Sequence, residues 1–144
     1  MYCTTEDIQK QVSRDTLIQL TDDNQVGVID SEIVQESIFY AETLINGYLL
    51  GRYNLPVFGF IPNLLKILSI DLSLYRLYSR RFQTDIPDSI NEKYKNSVRI
   101  LEQIQKGIIC LEIEATGKVI RMDEYRTNKT AKDRLFSKEF LDDY

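Results

Sequence analysis

Histidine is absent from this chain of 144 residues, which removes the commonest general base and the commonest metal-ligating side chain. The sequence also contains no glycine-rich phosphate-binding loop, no nucleophile motif and no spaced set of metal ligands. Enzyme hypotheses therefore have no positive support in the sequence, and we expect a protein without catalysis, cofactor or metal.

Cysteine and long apolar runs are also scarce. Two cysteines occur, Cys3 and Cys110, which are too few for the disulfide framework of a small secreted protein. No apolar run approaches the roughly 18 residues that a membrane-spanning helix needs, and the acidic start of the chain is unlike a signal peptide. The sequence predicts synthesis in a reducing cytosol and no membrane association.

The bulk composition is that of one globular domain. Hydrophobic residues make up 43% of the chain and charged residues 28%, both ordinary values, and the length suits a single core. The net charge is −4, so the chain as a whole lacks the positive charge of a nucleic-acid-binding protein.

Apolar periodicity predicts three long helices. In residues 31–50 apolar side chains recur at three- and four-residue spacing. A second run begins at Pro62 and is apolar over much of its circumference, which predicts a central helix. A third run begins at Pro87, and Gly107 is a natural stop.

The segment before these helices is less regular. A short helix is predicted from about Thr5 to Val12, whereas residues 13–20 fit either a helix or a loop. Residues 21–27 read as a loop. Asp22, Asn24, Gly27 and Asp30 match part of a calcium-binding loop, but its other positions hold Val26 and Ile33. We therefore expect a capped turn rather than a calcium site.

The pattern changes after Gly107. Ile109, Leu111 and Ile113 alternate with polar or smaller residues, which predicts a short strand or hairpin. The polar segment that follows ends in an apolar group with Phe136, Phe140 and Leu141. We expect a mainly α protein: a compact bundle of about four helices with a short strand or hairpin, formed by residues 1–114, and an extended C-terminal arm, residues 115–144.

The connector between the first two long helices has a definite chemistry. Gly51 allows a left-handed helix stop, Arg52 places a cation at the negative end of a helix, and Leu55 is held extended by Pro56. Tyr53 and Leu55 are large for a solvated loop, so we expect something to bury them. No intrachain partner is evident from the sequence.

Two polar groups on the central helix have alternative interpretations. Asp71, with Tyr75 one turn away, predicts a buried structural hydrogen bond or salt link, in preference to a catalytic carboxylate. Arg76, Arg80 and Arg81 form a basic patch beside tyrosines, a combination that contacts nucleic acid in some proteins and covers a half-buried helix in others.

Several short motifs follow one another along nearly the whole chain. They are Tyr2–Ile8, Leu20–Asp23, Ile45–Leu49, Arg52–Pro56, Ile61–Pro62, Ile70–Leu72, Tyr75–Tyr78, Tyr94 with Leu101–Gly107, and Arg134–Ser137. In this order they resemble the phage Mu-like head–tail connector or head-completion proteins, a family of small tailed-phage and prophage proteins. Arg52–Pro56 is the most specific of these motifs.

The resemblance implies a structural virion protein that forms a ring between portal and tail. Its partners would be further copies of itself, the portal and tail-completion proteins, and DNA that passes through passively. It would reside in the host cytoplasm before assembly and in the virion afterwards. Since a ring needs two different contact surfaces, we expect the subunit interface to comprise Arg52, Tyr53, Leu55, Pro56, Phe58 and Phe60 on one side, and Phe136, Phe140 and Leu141 of the arm on the other.

Two alternatives remain open at this point. One is a DNA-contacting accessory protein that uses the arginine patch and the basic residues of the arm. The other is a bacterial helical interaction module without catalysis. A steep decrease of affinity with salt would favour the first, whereas portal and tail genes beside this one would favour the connector.

Overall fold

A computed structural model describes residues 1–57, 59–81 and 85–113 of the chain. These residues form five helices and, in the described ranges, no strand, which confirms the predicted mainly α bundle. The helices are α1 (Thr5–Gln9), α2 (Arg14–Thr21), α3 (Ser31–Leu49), α4 (Asn63–Ser79) and α5 (Asp88–Gln105). The predicted arm, residues 115–144, lies outside the described part.

Local hydrogen bonds explain where the first two helices begin. Thr4 and Asp7 form a capping box at the start of α1, and Ser13 accepts a hydrogen bond from the backbone N–H of Thr16 at the start of α2. The ambiguous segment is therefore helical from residue 14 onward, with Ser13 as its N-cap. The predicted turn after α2 is confirmed, because the Asp22 carboxylate accepts hydrogen bonds from the loop's own backbone.

The central position predicted for α4 is confirmed. It packs against α3 and α5 along its length and also touches α1 and α2. One core cluster takes Leu65, Leu68 and Leu72 from α4, and a second takes Ile70, Leu74 and Leu77. Because α4 supplies both clusters, its side chains are buried on most of its faces.

The end of α5 agrees with the prediction, whereas the segment that follows it does not. Gly107, with φ +79°, closes the helix, and the N–H of Ile108 reaches back to the carbonyl of Gln103, as in a Schellman motif. The strand predicted at 109–113 is wrong. Ile109, Leu111 and Ile113 do pack on the first core cluster, but in the described residues no strand lies beside them. The alternation of apolar residues thus predicted correctly which side chains face the core, but it did not predict the backbone conformation.

Candidate subunit interface

The connector after α3 begins with a tight turn. The N–H of Arg52 donates to the carbonyl of Leu49 at 3.1 Å, and Gly51 adopts a φ of +91°. With Leu50 at φ −57° and ψ 130°, this is a type II turn, which favours glycine at its third position. The left-handed stop predicted at Gly51 is confirmed.

The apolar residues of the connector have partners in their own chain. Tyr53 is 2% exposed, and its hydroxyl accepts a hydrogen bond from the backbone N–H of Leu111 at 2.9 Å. Leu55 and Val57 are half-buried against the same core cluster. The premise that these residues lack an intrachain partner is therefore wrong, because Tyr53 is bound by Leu111 and the other two pack on the core.

Part of the connector remains exposed. Pro56 follows a cis peptide bond and is exposed. Phe60 is 72% exposed, which is unusual for a large aromatic side chain. Phe58 and the arm residues Phe136, Phe140 and Leu141 lie outside the described part of the chain. Of the predicted interface residues that the structure describes, Phe60 is the one that presents a large apolar surface.

Arg52 lies against the end of α5. A Cβ atom added to Gly107 would lie 2.6 Å from both terminal guanidinium nitrogens, so the guanidinium rests directly on the glycine backbone. Its Nε and Nη2 atoms are buried, and among the described residues neither has a hydrogen-bond acceptor. A buried guanidinium edge without an acceptor is unfavourable and needs an explanation.

An apolar groove runs between α3 and α5. Its volume is about 410 Å³, within the usual range of roughly 300–1,000 Å³ for binding pockets. We call it the α3–α5 groove, and it is lined by Tyr40, Thr43, Leu44, Gly47, Tyr48 and Gln105. Gly47 leaves open space there, because a Cβ atom at this position would contact nothing within 4 Å.

A second concave surface, the N-terminal pocket, lies next to Phe60. It has a volume of about 390 Å³ and is lined by residues 1–4, Asp7, residues 60–61, Asn63 and Lys66. Lys66 Nζ lies 2.8 Å from the Asp7 carboxylate. This hydrogen bond, opposed by burial and assisted by Thr4, lowers the pKa of Asp7 to about 2.

The two concave surfaces lie on different flanks of α3. The N-terminal amino group pairs with Glu42 at 2.7 Å, and the Tyr2 hydroxyl donates to Asn46, so these α3 residues contact the N-terminal residues that line the pocket. Thr43 and Gly47, each one residue further along, line the α3–α5 groove. Successive residues of a helix point about 100° apart, so the pocket and the groove lie on different sides of α3. The molecule therefore carries two dissimilar concave surfaces.

Asp71 and Tyr75 are half-buried rather than fully buried. Burial raises the pKa of Asp71, and the charge of Lys93 partly opposes this shift. Tyr75 stacks on Tyr94 of α5, with ring centroids 3.8 Å apart. The structure therefore places Tyr75 in an α4–α5 aromatic contact.

The three predicted nucleic-acid arginines have protein partners. Arg76 lies over the ring of Tyr40, 5.0 Å from its centroid. Arg80 and Arg81 both bind Asp23, and each also donates to a backbone carbonyl near the end of α2. Their hydrogen bonds lower the pKa of Asp23 to about 2. The contacts of Arg80 and Arg81 hold the end of α4 against the α2–α3 loop. The arginines therefore have the structural role that was the alternative to nucleic-acid binding.

Within residues 1–57, 59–81 and 85–113, no group of three or more acidic, cysteine or histidine residues is arranged to hold a metal ion. Over the same residues, no helix has the length and apolar character to cross a membrane.

Comparison with known proteins identifies the family. The model of the family described as "Bacteriophage Mu, Gp36" matches residues 2–128, which is most of the chain. The chain belongs to the phage Mu gp36 family. A relative, the Mu-like prophage FluMu protein gp36 of Haemophilus influenzae, is 25% identical over 123 residues, covering 85% of this chain and 84% of the relative. Phe136, Phe140 and Leu141 lie beyond the range matched by the family model.

Proposed function

We propose that this gp36 family member is a structural virion protein, a head–tail connector or head-completion protein without catalysis. In this proposal it forms a ring between the portal and the tail of a tailed phage or prophage. The observation that carries the proposal is membership of a phage protein family over nearly the whole chain, together with a small helical bundle.

The surfaces of the bundle support assembly into a ring. In a ring, one patch of each subunit meets a different patch of the next. The N-terminal pocket with Phe60 and the α3–α5 groove are two such dissimilar patches, on different flanks of α3. The ring would contact the portal and tail-completion proteins and let DNA pass passively. The protein would wait in the host cytoplasm until assembly.

The two alternatives have less support. The arginines of the predicted basic patch are held by Tyr40 and Asp23 of the same chain, so intrachain packing accounts for them without a phosphate backbone. Membership of a phage family does not favour a bacterial interaction module. We therefore advance no second function.

Deletion of the gene from an inducible phage or prophage tests the proposal. We expect induced cells to accumulate filled heads and free tails, as seen by electron microscopy. A tagged copy supplied in trans should restore joined particles and be found in them by mass spectrometry. Normal tailed particles that lack the protein would refute the connector role.

Complementation with surface variants sharpens this test. Phe60→Ser removes an aromatic side chain that is 72% exposed, and Val26→Ser removes an aliphatic one that is 68% exposed on the α2–α3 loop. Neither change opens a cavity in the core, so both variants should fold. We expect Phe60→Ser to reduce the yield of joined particles and Val26→Ser to leave it unchanged.

A further inference from the structure

The unpaired edge of Arg52 indicates a missing acceptor. The guanidinium remains protonated in proteins, and Nε and Nη2 together match the two oxygens of a carboxylate. The described residues supply no acceptor for either atom. An acceptor for the Arg52 guanidinium must therefore come either from undescribed residues of this chain or from another molecule.

The α3–α5 groove leads toward this guanidinium. On α3 its lining ends at Tyr48, four residues before Arg52, and on α5 it ends at Gln105, two residues before Gly107. Arg52 rests on Gly107. An apolar surface thus ends close to a cation whose Nε and Nη2 have no acceptor among the described residues, and a matching occupant would carry apolar side chains followed directly by a carboxylate.

One segment of this chain has that order of groups. Phe136, Phe140 and Leu141 are followed by Asp142 and Asp143. We infer that residues 136–143 dock in the α3–α5 groove, with their apolar side chains against Leu44 and Tyr48 and a carboxylate on Arg52.

The intervening chain is long enough to permit this docking. The described part ends at Ile113, which packs on the same core cluster as Leu101 and Ile104 of α5. The 22 residues from 114 to 135 span up to about 70 Å when extended, at roughly 3.3 Å per residue. The segment therefore reaches the groove of its own copy or that of a neighbouring copy. The docking requires the groove and Arg52. On a neighbouring copy it would itself form the ring contact at the groove, and within one copy it would occupy that patch.

A native thiol offers a direct test in the full-length protein. Cys110 is exposed, and its sulfur lies 3.9 Å from the carbonyl oxygen of Gly107, close to the Arg52 guanidinium. Cys3 is buried, so it will not compete. Tyr144→Cys adds a thiol beside the docking segment and keeps both aspartates. Under mild oxidation we expect Cys110 to form a disulfide with residue 144.

Asn128→Cys is the matched control. Residue 128 is nearer to Cys110 in sequence, so a freely moving tail would join Cys110 to position 128 at least as fast as to position 144. Docking reverses this order, and we expect the disulfide to position 144 to form at least about tenfold faster. Equal rates, or faster joining at position 128, would overturn the inference.

Two further variants separate the groove from the cation. Arg52→Met removes the charge, and Gly47→Leu fills the open space in the groove. Each should bring the rate for position 144 down to that for position 128, while circular dichroism and thermal unfolding confirm that each variant folds. If neither variant slows the reaction, the docking site is wrong. Disulfides within one chain or between two chains both support docking, and the second result shows that a neighbour supplies the segment.

Discussion

The contact between Arg52 and Gly107 leads to a quantitative prediction. Gly107 has a φ of +79°, and a Cβ atom there would lie 2.6–2.8 Å from three guanidinium atoms of Arg52. Gly27 also has a φ of +79°, but a Cβ atom there meets nothing within 4 Å. The same substitution to alanine therefore imposes similar backbone strain at both positions and a steric clash at only one of them.

The expected magnitudes follow from these two terms. An L-residue in the left-handed region costs about 1–2 kcal/mol, so Gly27→Ala should lower the free energy of unfolding by about that amount. Gly107→Ala adds an overpacking cost, which is about 1 kcal/mol at the low end of its range because a side-chain tip can move aside. In a chain of this length, about 1 kcal/mol corresponds to roughly 4 °C in Tm.

Urea and thermal unfolding of the two variants, monitored by circular dichroism, measure this difference. In the Arg52→Ala background the clash is absent, so the cost of Gly107→Ala should fall to that of Gly27→Ala. This double-mutant cycle isolates the contact. If Gly107→Ala costs no more than Gly27→Ala in the native background, the guanidinium does not rest on Gly107, and the docking site proposed beside it loses its anchor.

Two further predictions concern Tyr53 and Asp7. Tyr53→Phe removes the acceptor of the Leu111 N–H, so we expect the free energy of unfolding to fall by about 1 kcal/mol and amide exchange at Leu111 to become faster. If both quantities are unchanged, the hydrogen bond between Tyr53 and Leu111 is absent. Asp7 has a folded pKa of about 2, below its usual value, so it stabilises the fold above about pH 4 and loses this effect as the pH falls toward 2. The Tm difference between the native protein and Asp7→Asn should therefore shrink from pH 6 to pH 2.5, and a constant difference would contradict the Lys66 pairing.

Much of the helical framework follows from local signals in the sequence. The central α4 was predictable because apolar side chains surround it, and Gly51 and Gly107 were predictable helix ends because both need positive φ. Pro62 and Pro87 lie one residue outside the helices that they were expected to begin. Each of these features depends on residues within about one or two helical turns of each other.

Contacts between distant segments were not predictable in the same way. Alternation at Ile109, Leu111 and Ile113 correctly indicates a buried side, yet the hydrogen bond of Leu111 goes to the Tyr53 hydroxyl, not to a strand. Similarly, Arg80 and Asp23 are 57 positions apart. No periodicity in the sequence encodes these pairs. The sequence alone was therefore equally consistent with a basic patch for nucleic acid and with intrachain ion pairs.

Because Tyr53 is buried in its own subunit, its side chain is not available to an interface with another subunit. A large aromatic side chain in a connector suggests an intermolecular role, but Tyr53 is used inside the subunit, where it accepts a hydrogen bond from the segment after α5. The connector places Arg52 beside Gly107 at one end of α5, and the apolar surfaces that the described residues leave open include the α3–α5 groove and, on the other flank of α3, Phe60 beside the N-terminal pocket.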